Sequence, residues 1–194
     1  MSGPTTAAAI LAGGQSRRFG GRDKSRLVVH GRPIIVRQLE VLKGVAQEVF
    51  IVAPDAERFA DLRVQIHADL VPGAGALGGL YTALEVSSAE QVIVVACDLP
   101  FLDAGLLARL AERAPGGDGA WVKTARGVEP FFACYRREAR GVMLEAIRAG
   151  RLRIADLEHT LRMVSIEAAE LEEFGAPEHL LANVNAADDY ERIR

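Results

Sequence analysis

Short apolar runs alternate with longer amphipathic segments from residue 7 to residue 113, and this alternation restricts the folds open to the chain. It is the pattern of βαβ units, in which helices connect parallel strands. The predicted strands are 7–11, 48–52, 64–67 and 91–96, and the predicted helices are 34–43, 77–86 and 103–113. The sequence therefore predicts an α/β fold with a largely parallel sheet.

Local signals refine this prediction. Pro33 has a preset φ and is placed at the first helical position, while Asp103 is the predicted N-cap of its helix. The remaining predicted elements are strands at 121–124 and 131–135, which flank RGVEP as a hairpin or as two edge strands, and helices near 142–149 and after Asn185.

Composition limits the domain organisation and the classes of partner. The chain has 194 residues, 49% hydrophobic and 25% charged, which suits one globular domain. Its net charge of −3 gives no electrostatic basis for binding nucleic acid or an anionic membrane, and no apolar run approaches the roughly 18 residues of a membrane span. Cys97 and Cys134 stand far apart, each in an apolar run. We therefore expect buried, reduced thiols in a cytoplasmic protein that lacks a targeting segment.

A glycine-rich and basic loop, LAGGQSRRFGGRDK, directly follows the first predicted strand. Consecutive glycines let backbone N–H groups converge on an anion, so the loop predicts a phosphate site. It matches neither the Walker A pattern nor the dinucleotide-binding GxGxxG pattern. The basic side chains that could neutralise a polyphosphate, against the single acid Asp23, are Arg17, Arg18, Arg22, Lys24 and Arg26.

A second motif, CDLP, follows the most apolar predicted strand. It places Asp98 at the carboxyl end of a central strand, where open α/β sheets bind their ligands. Magnesium prefers one or two carboxylates together with phosphate oxygens, so an aspartate opposite a phosphate loop is sufficient protein ligand for a metal-bound nucleotide. The sequence therefore predicts Mg²⁺ as the cofactor, with Asp98 as its ligand.

Together these motifs resemble those of the MobA family of molybdenum cofactor guanylyltransferases. The matching segments are LAGGQSRRFGGRDK at 11–24, GRP at 31–33, PGAGALGGLYTAL from Pro72, CDLP at 97–100 and NVNAADDY at 183–190. They cover nearly the whole chain in family order. The resemblance implies one Rossmann-like, three-layer nucleotidyltransferase domain over 1–194, with helices on both faces of a mostly parallel sheet and a small antiparallel edge. Its nucleotide-binding part spans about 7–100, and its acceptor-binding part spans about 101–194.

The same resemblance implies a set of site residues. Lys24 and Asp98 are the implied catalytic residues, and Asp98 also binds the metal. The implied nucleotide-binding residues are Leu11, Ala12, Gly13, Gly14, Arg18, Lys24, Asp69, Gly78, Gly79 and Asp98. The implied acceptor-binding residues are Asn183, Asn185, Arg151 and Arg153.

The implied reaction transfers GMP from GTP to the terminal phosphate of Mo-molybdopterin and releases pyrophosphate. We also expect transient complexes with cofactor-synthesis proteins or target apoenzymes. Two departures from the family pattern bear on the base: Ala53–Pro54 stands where an asparagine is frequent, and GPLAG reads GALGG. Three alternatives stay open. They are CMP transfer to molybdopterin, guanylyl transfer to another small phosphorylated acceptor such as phospholactate, and a nucleotide-binding adaptor without turnover.

Overall fold

A seven-stranded sheet forms the centre of the computed structural model, which describes residues 3–13, 24–184 and 189–191. The strands are β1 (Thr6–Leu11), β2 (Val28–Val29), β3 (Arg32–Pro33), β4 (Glu48–Val52), β5 (Gln65–His67), β6 (Gln91–Ala96), β7 (Gly119–Thr124), β8 (Gly127–Arg136) and β9 (Met163–Glu167). The order in the sheet is β5-β4-β1-β6-β8-β7-β9, and β2 and β3 form a separate antiparallel pair. Neighbouring strands among β5, β4, β1 and β6 are parallel.

Helices cover both faces of this sheet. They are α1 (Ile34–Leu42), α2 (Gly75–Val86), α3 (Ala104–Arg113), α4 (Arg140–Arg148), α5 (Ala168–Leu171) and α6 (Pro177–Leu180). Successive strand residues point to opposite faces, so Ile10 packs in one apolar cluster with α1 and α3, while Ala9 packs in another with α2 and α4. The predicted three-layer α/β class is therefore confirmed.

The predicted hairpin is confirmed, and the alternative of two edge strands is wrong. Strand β8 is antiparallel to both β6 and β7, and β7 pairs on its other side with β9 in parallel. The hairpin is therefore internal. Strand β9 was not predicted. Its residues, MVSIE, form a short segment that becomes a strand by pairing with a distant part of the chain.

A small hairpin connects the end of the glycine loop to α1. Its turn residues, His30 and Gly31, both have positive φ, at 48° and 79°, as a two-residue turn between twisted strands requires. Pro33 ends β3 and takes the N-cap position of α1. It thus lies one position before the first helical position, at which it was predicted. Asp103 caps α3 as predicted, and its carboxylate accepts a 2.8 Å hydrogen bond from the Leu106 amide.

Neither Cys97 nor Cys134 forms a disulfide bond, but they differ in burial. Cys134 is fully buried in β8, and this burial raises the pKa of its thiol, whereas Cys97 is only half-buried. The expectation of two buried thiols is thus correct for Cys134 alone. Residues 189–191 are helical, while Asn185, from which the final helix was predicted, lies outside the described residues. Among the described residues, no helix has the length and hydropathy to cross a bilayer.

Candidate active site

The carboxyl ends of β1 and β6 lie side by side. Leu11 pairs in register with Ala96, and the amide of Cys97 donates a 3.2 Å hydrogen bond to the carbonyl of Leu11. The chain runs from β1 to β4 and β5 on one side and then returns to β6 on the other side of β1. Such a reversal of strand order opens a crevice at the carboxyl ends of the strands, where α/β sheets bind ligands. Residues 11–13 of the LAGG motif and the CDLP motif meet at this crevice.

The first loop residues after β1 differ in what they can offer a ligand. The Ala12 amide donates a 2.8 Å hydrogen bond to the carbonyl of Val52, which extends the sheet by one residue. This N–H is therefore unavailable to a phosphate. Gly13 is exposed, and no described atom would lie within 4 Å of a Cβ built on it. Packing of the described residues thus does not demand a glycine there, whereas close approach of a ligand would. Gly14 and Arg18 lie outside the described residues.

Asp98 is half-buried in the turn that follows β6. Burial raises the pKa of its carboxyl group above the ordinary aspartate range, and the positive charge of Lys24 partly offsets this shift. Lys24 and Asp98 thus interact electrostatically, although they are far apart in the sequence. These are the two residues that the resemblance implied as catalytic.

Lys24 begins a short 3₁₀ turn, Lys24–Arg26, that is anchored by the fully buried Ser25. Arg26, at the end of this turn, has a different environment. Its guanidinium donates a 2.8 Å hydrogen bond to Asp61 and a 2.7 Å hydrogen bond to the carbonyl of Arg58. An ion pair within the chain thus engages the Arg26 side chain, which argues against a part for it in neutralising a polyphosphate.

Asp69 organises the loop before α2. Its Oδ1 accepts hydrogen bonds from the Val71 amide at 2.9 Å and the Thr82 hydroxyl at 3.2 Å, while the Leu70 amide donates to the Thr82 hydroxyl oxygen at 3.0 Å. One carboxylate oxygen thus ties the loop to the second turn of the helix. The loop is held in place by its own contacts, which suits a fixed wall beside the crevice.

Gly78 and Gly79 have different surroundings. A Cβ on Gly78 would lie 3.0 Å from the Val71 carbonyl oxygen and 3.1 Å from Oδ1 of Asp69, so this glycine lets the loop pack directly on α2. A Cβ on Gly79 would meet only Leu11, at 3.9 Å among the described residues. The close approach at Gly78 is therefore made by the chain itself, whereas Gly79 is half-buried beside the end of β1.

The C-terminal NVN motif reaches the same crevice. The amide of Val184 donates a 3.1 Å hydrogen bond to the carbonyl of Asp98, and the Val184 side chain is fully buried with Val29, Ile34 and Phe101. Asn183 therefore lies next to a residue that is hydrogen-bonded to the CDLP motif. Asn185, the second asparagine of the motif, lies outside the described residues.

Arg151 and Arg153 lie further from the crevice. Both are exposed, and they follow α4 through Gly150, which has a positive φ of 71°. The 3₁₀ segment that begins after Arg153, Ile154–His159, packs against β8. The arginines thus precede a segment that packs on β8, and the described contacts do not place them at the junction of β1 and β6.

A second half-buried carboxyl group lies at the same edge of the sheet as Asp98. Val95 of β6 pairs with Phe132 of the antiparallel β8, so Glu129 lies beyond the carboxyl end of β6. Trp121 of β7 pairs with Ala133 of β8, but the next residue, Val122, pairs with Glu129. Residues 130–132 of β8 therefore form a bulge on the side of β7. Burial raises the pKa of Glu129, and the charge of Arg126 partly offsets this shift. Glu129 is thus a half-buried carboxyl group near the carboxyl end of β6.

No sequence motif pointed to Gln38, which contacts the backbone on both sides of Asp98. Its signal in the sequence is a glutamine among the apolar positions of an amphipathic helix, where an unpartnered amide is costly. Such a residue needs hydrogen-bond partners, but the sequence does not reveal which backbone groups serve.

The donor set suits a magnesium ion that is shared with a nucleotide. Within residues 3–13, 24–184 and 189–191, no group of three or more His, Cys, Asp or Glu side chains could hold a metal ion by itself. A desolvated aspartate beside an exposed glycine and a lysine instead offers one hard oxygen ligand and room for phosphate oxygens. Mg²⁺ is usually bound through one or two carboxylates and the phosphates of its substrate, so the residues fit this ion.

Comparisons with known proteins agree with this architecture. The family model described as "MobA-like NTP transferase domain" matches residues 8–163. A Carboxydothermus hydrogenoformans protein named "Probable molybdenum cofactor guanylyltransferase" is 33% identical over 95% of this chain and 93% of its own length. The molybdenum cofactor guanylyltransferase of Pseudomonas entomophila is 32% identical, over 92% of this chain and 97% of its own.

A solved structure extends the likeness to three dimensions. The crystal structure of molybdopterin-guanine dinucleotide biosynthesis protein A from Archaeoglobus fulgidus superposes with a TM-score of 0.82 and 26% identity, covering 96% of each chain. The sequence match, the shared fold and the meeting of the LAGG and CDLP motifs at one crevice therefore agree: this chain is a nucleotidyltransferase and belongs to the MobA-like NTP transferase family.

Proposed function

We propose that the protein transfers GMP from GTP to the terminal phosphate of Mo-molybdopterin, forming the guanine dinucleotide cofactor and pyrophosphate, with Mg²⁺ as cofactor. The observation that carries this proposal is the junction of β1 and β6, where Gly13 and Asp98 follow adjacent strand ends and the charge of Lys24 acts on the Asp98 carboxyl group. This arrangement supports the proposal, because it offers a cation and a carboxylate that could hold a metal ion near the exposed Gly13. Guanylyl transfer to the molybdenum cofactor is the activity named for the two relatives described above.

The chemistry requires positioning and charge stabilisation rather than a protein nucleophile. The terminal phosphate of the acceptor attacks the α-phosphorus of GTP, the new phosphoanhydride bond forms, and the bond to the β-phosphate oxygen breaks as pyrophosphate leaves. An attacking phosphate is already an anion at neutral pH, so no general base is needed. Such transfers are catalysed chiefly by alignment of the reactants and by cations that meet the developing negative charge.

Each described site residue has a part in this proposal. Lys24 holds the phosphates of the nucleotide and offsets their charge. Asp98 is the metal ligand, and Mg²⁺, when bound, supplies positive charge to the phosphate oxygens. Gly13 permits close approach of the phosphates. On the acceptor side, the fixing of Val184 to Asp98 sets Asn183 at the same crevice.

The proposed base site lies between Gly79 and the end of β1. The loop that Asp69 fixes forms one wall, and the half-buried Gly79 leaves space beside Leu11. Guanine is preferred in the proposal because the first loop reads LAGG, which resembles the guanylyl branch of the family, whereas cytidylyl relatives have LAAG. The relatives described above are also named guanylyltransferases. Cytidylyl transfer to molybdopterin is the second candidate, and the observation that favours it is the departure at Ala53–Pro54 and GALGG.

Pyrophosphate release tests the proposal and its alternatives. The purified protein is incubated with Mg²⁺ and molybdopterin, and with GTP, CTP or ATP in separate reactions. Release with GTP alone is the expected result, while release with CTP alone would assign the chain to cytidylyl transfer. Release with GTP and phospholactate, but not with molybdopterin, would replace the acceptor. No release with any pair would favour an adaptor.

A further inference from the structure

Gln38 of α1 is almost fully buried and donates two hydrogen bonds from one nitrogen. Its Nε2 lies 2.7 Å from the carbonyl oxygen of Ala96 and 2.8 Å from that of Leu99. These two carbonyls bracket Cys97 and Asp98. A single side chain thus holds the backbone immediately before and immediately after the metal-binding aspartate.

The orientation of this amide is determined by its neighbours. Both contacted groups are carbonyl oxygens, which can only accept, so the nitrogen of the carboxamide must face them. The other end of the amide, Oε1, is buried without a hydrogen-bond partner among the described residues. Burying an unpartnered polar atom is unfavourable, so an apolar residue would fill this position at lower cost if packing were its only role.

The turn around Asp98 has left the sheet and depends on such contacts. Beyond the Cys97 amide, which still pairs with Leu11, the described bonds to this turn come from other segments. Val184 donates to the carbonyl of Asp98, and the Arg37 Nε donates to that of Pro100 at 3.3 Å. Helix α1, through Arg37 and Gln38, therefore supplies three of the hydrogen bonds that fix the backbone of residues 96–100.

We propose that Gln38 is the positioning residue of the metal site: it fixes the backbone on both sides of Asp98 so that the carboxylate is presented in one geometry to the metal-bound nucleotide. This inference rests on the proposed function, because it assumes that Asp98 binds the metal. Metal ligands depend on surrounding hydrogen bonds for their orientation, and loss of such partners typically weakens metal binding by about 10–100-fold.

The chain provides a matched control in Gln91. Gln91 is also a buried glutamine, it donates from Nε2 to the Thr6 hydroxyl at 2.9 Å and to the Ala111 carbonyl at 3.1 Å, and its Oε1 likewise has no described partner. It stands at the amino end of β6, the opposite end of the strand from Asp98. Loss of either amide removes two hydrogen bonds from a buried site, but only one of the sites is next to Asp98.

The test compares Gln38→Met with Gln91→Met in two measurements on the full chain. Electron paramagnetic resonance measures Mn²⁺ affinity in the presence of a non-reactive GTP analogue, with Asp98→Asn as the reference for a lost site. Hydrogen exchange measures the opening of residues 97–101. We expect Gln38→Met to weaken Mn²⁺ binding about tenfold and to accelerate exchange in this turn, whereas Gln91→Met changes neither beyond about twofold.

Two results would overturn the positioning role. One is unchanged Mn²⁺ affinity and exchange in Gln38→Met, and the other is an equal loss in both variants, which would indicate a general effect of lost stability. If the native chain and Asp98→Asn bind Mn²⁺ equally, the proposed function fails at its metal ligand, and exchange at 97–101 alone decides whether Gln38 fixes the turn. If Gln38→Met does not fold, Gln38→Asn, which keeps the amide on a shorter side chain, is measured by the same criteria.

Discussion

Arg26 donates hydrogen bonds to Asp61 from both terminal nitrogens of its guanidinium, whereas the positive charge of Lys24, two residues earlier, lowers the pKa of Asp98 against the effect of burial. Two cations of one short turn thus have different roles. The ion pair joins the turn to the segment after β4, and the Arg26 guanidinium also lies 5.6 Å from the centre of the Phe59 ring. Arg26 therefore holds the turn that presents Lys24.

The first prediction separates these two cations. Lys24→Gln should lower kcat/KM by about 100- to 1,000-fold, because it removes a cation from the charge that develops on the phosphates. Arg26→Gln should keep kcat/KM within about threefold of the native value, since its charge is engaged within the chain. Steady-state pyrophosphate assays measure both, and circular dichroism establishes that each variant is folded. Equal losses in the two variants would contradict the separate roles.

The second prediction concerns Asp98→Asn. It should lower turnover at least about 100-fold, because an amide is a poor substitute for the carboxylate ligand of the metal. The metal-free variant should be as stable as the native chain or more stable, since burial disfavours the charged form that it removes. Urea unfolding without metal measures the stability. Asp103→Asn is the control, because asparagine caps a helix as well as aspartate. A marked loss of stability in Asp98→Asn would show that the carboxylate is structural.

The third prediction is a pH dependence of metal binding. A ligand carboxylate must be ionised, and burial raises the pKa of Asp98, so Mn²⁺ affinity should fall with decreasing pH at values above the ordinary aspartate range. Lys24 opposes the shift, so Lys24→Gln should move the midpoint to higher pH. Titration of Mn²⁺ with a non-reactive GTP analogue at several pH values measures it. A midpoint that is unchanged or lower in Lys24→Gln would contradict the coupling.

The raised pKa of Asp98 also affects the stability of the metal-free protein. Stability should rise as the pH falls, whereas Mn²⁺ affinity should decrease. The folded chain binds the Asp98 proton more tightly than the unfolded chain does. The metal-free protein should therefore gain stability from this group as the pH falls through the interval between the ordinary and the raised pKa, and lose it as the pH rises. Asp98→Asn lacks this contribution, so the difference in unfolding free energy between the two proteins isolates it.

The fourth prediction distinguishes the two glycines of α2. Gly78→Ala should lower the unfolding free energy by about 1–3 kcal/mol, since its Cβ would press on the loop of Asp69, and it should weaken GTP binding as that loop moves. Gly79→Ala should leave stability unchanged or raise it by up to about 1 kcal/mol, because alanine favours the helix. It should still weaken GTP binding if the base lies beside Leu11. Native GTP affinity in Gly79→Ala would remove Gly79 from the base site.

Local patterns were sufficient to predict much of the fold. The apolar runs of β1, β4 and β6 were placed within a residue of their observed bounds, because a buried parallel strand is apolar along its whole length. Asp103 was placed correctly because capping depends on its immediate neighbours. The meeting of Lys24 and Asp98 followed from topology, since consecutive βαβ units bring the carboxyl ends of parallel strands to one edge.

Features that depend on distant pairing were not predicted. Strand β9 exists because it pairs with β7. The bulge next to Glu129 forms because β8 pairs with β6 in an uninterrupted register but with β7 in a register that shifts. The Arg26 ion pair and the backbone contacts of Gln38 likewise join segments far apart in the chain. Residue type alone does not specify such partners, because many carboxylates and carbonyls could satisfy the same donor.

The most direct test of the account follows the phosphates of the nucleotide. The purified protein is incubated with Mg²⁺, molybdopterin and GTP labelled with ³²P at either the α or the γ position. We expect the α label to enter the dinucleotide product and the γ label to leave as pyrophosphate. In Asp98→Asn we expect neither labelled product. Transfer of the γ label to the acceptor, or its release as inorganic phosphate without a dinucleotide, would contradict nucleotidyl transfer at this site.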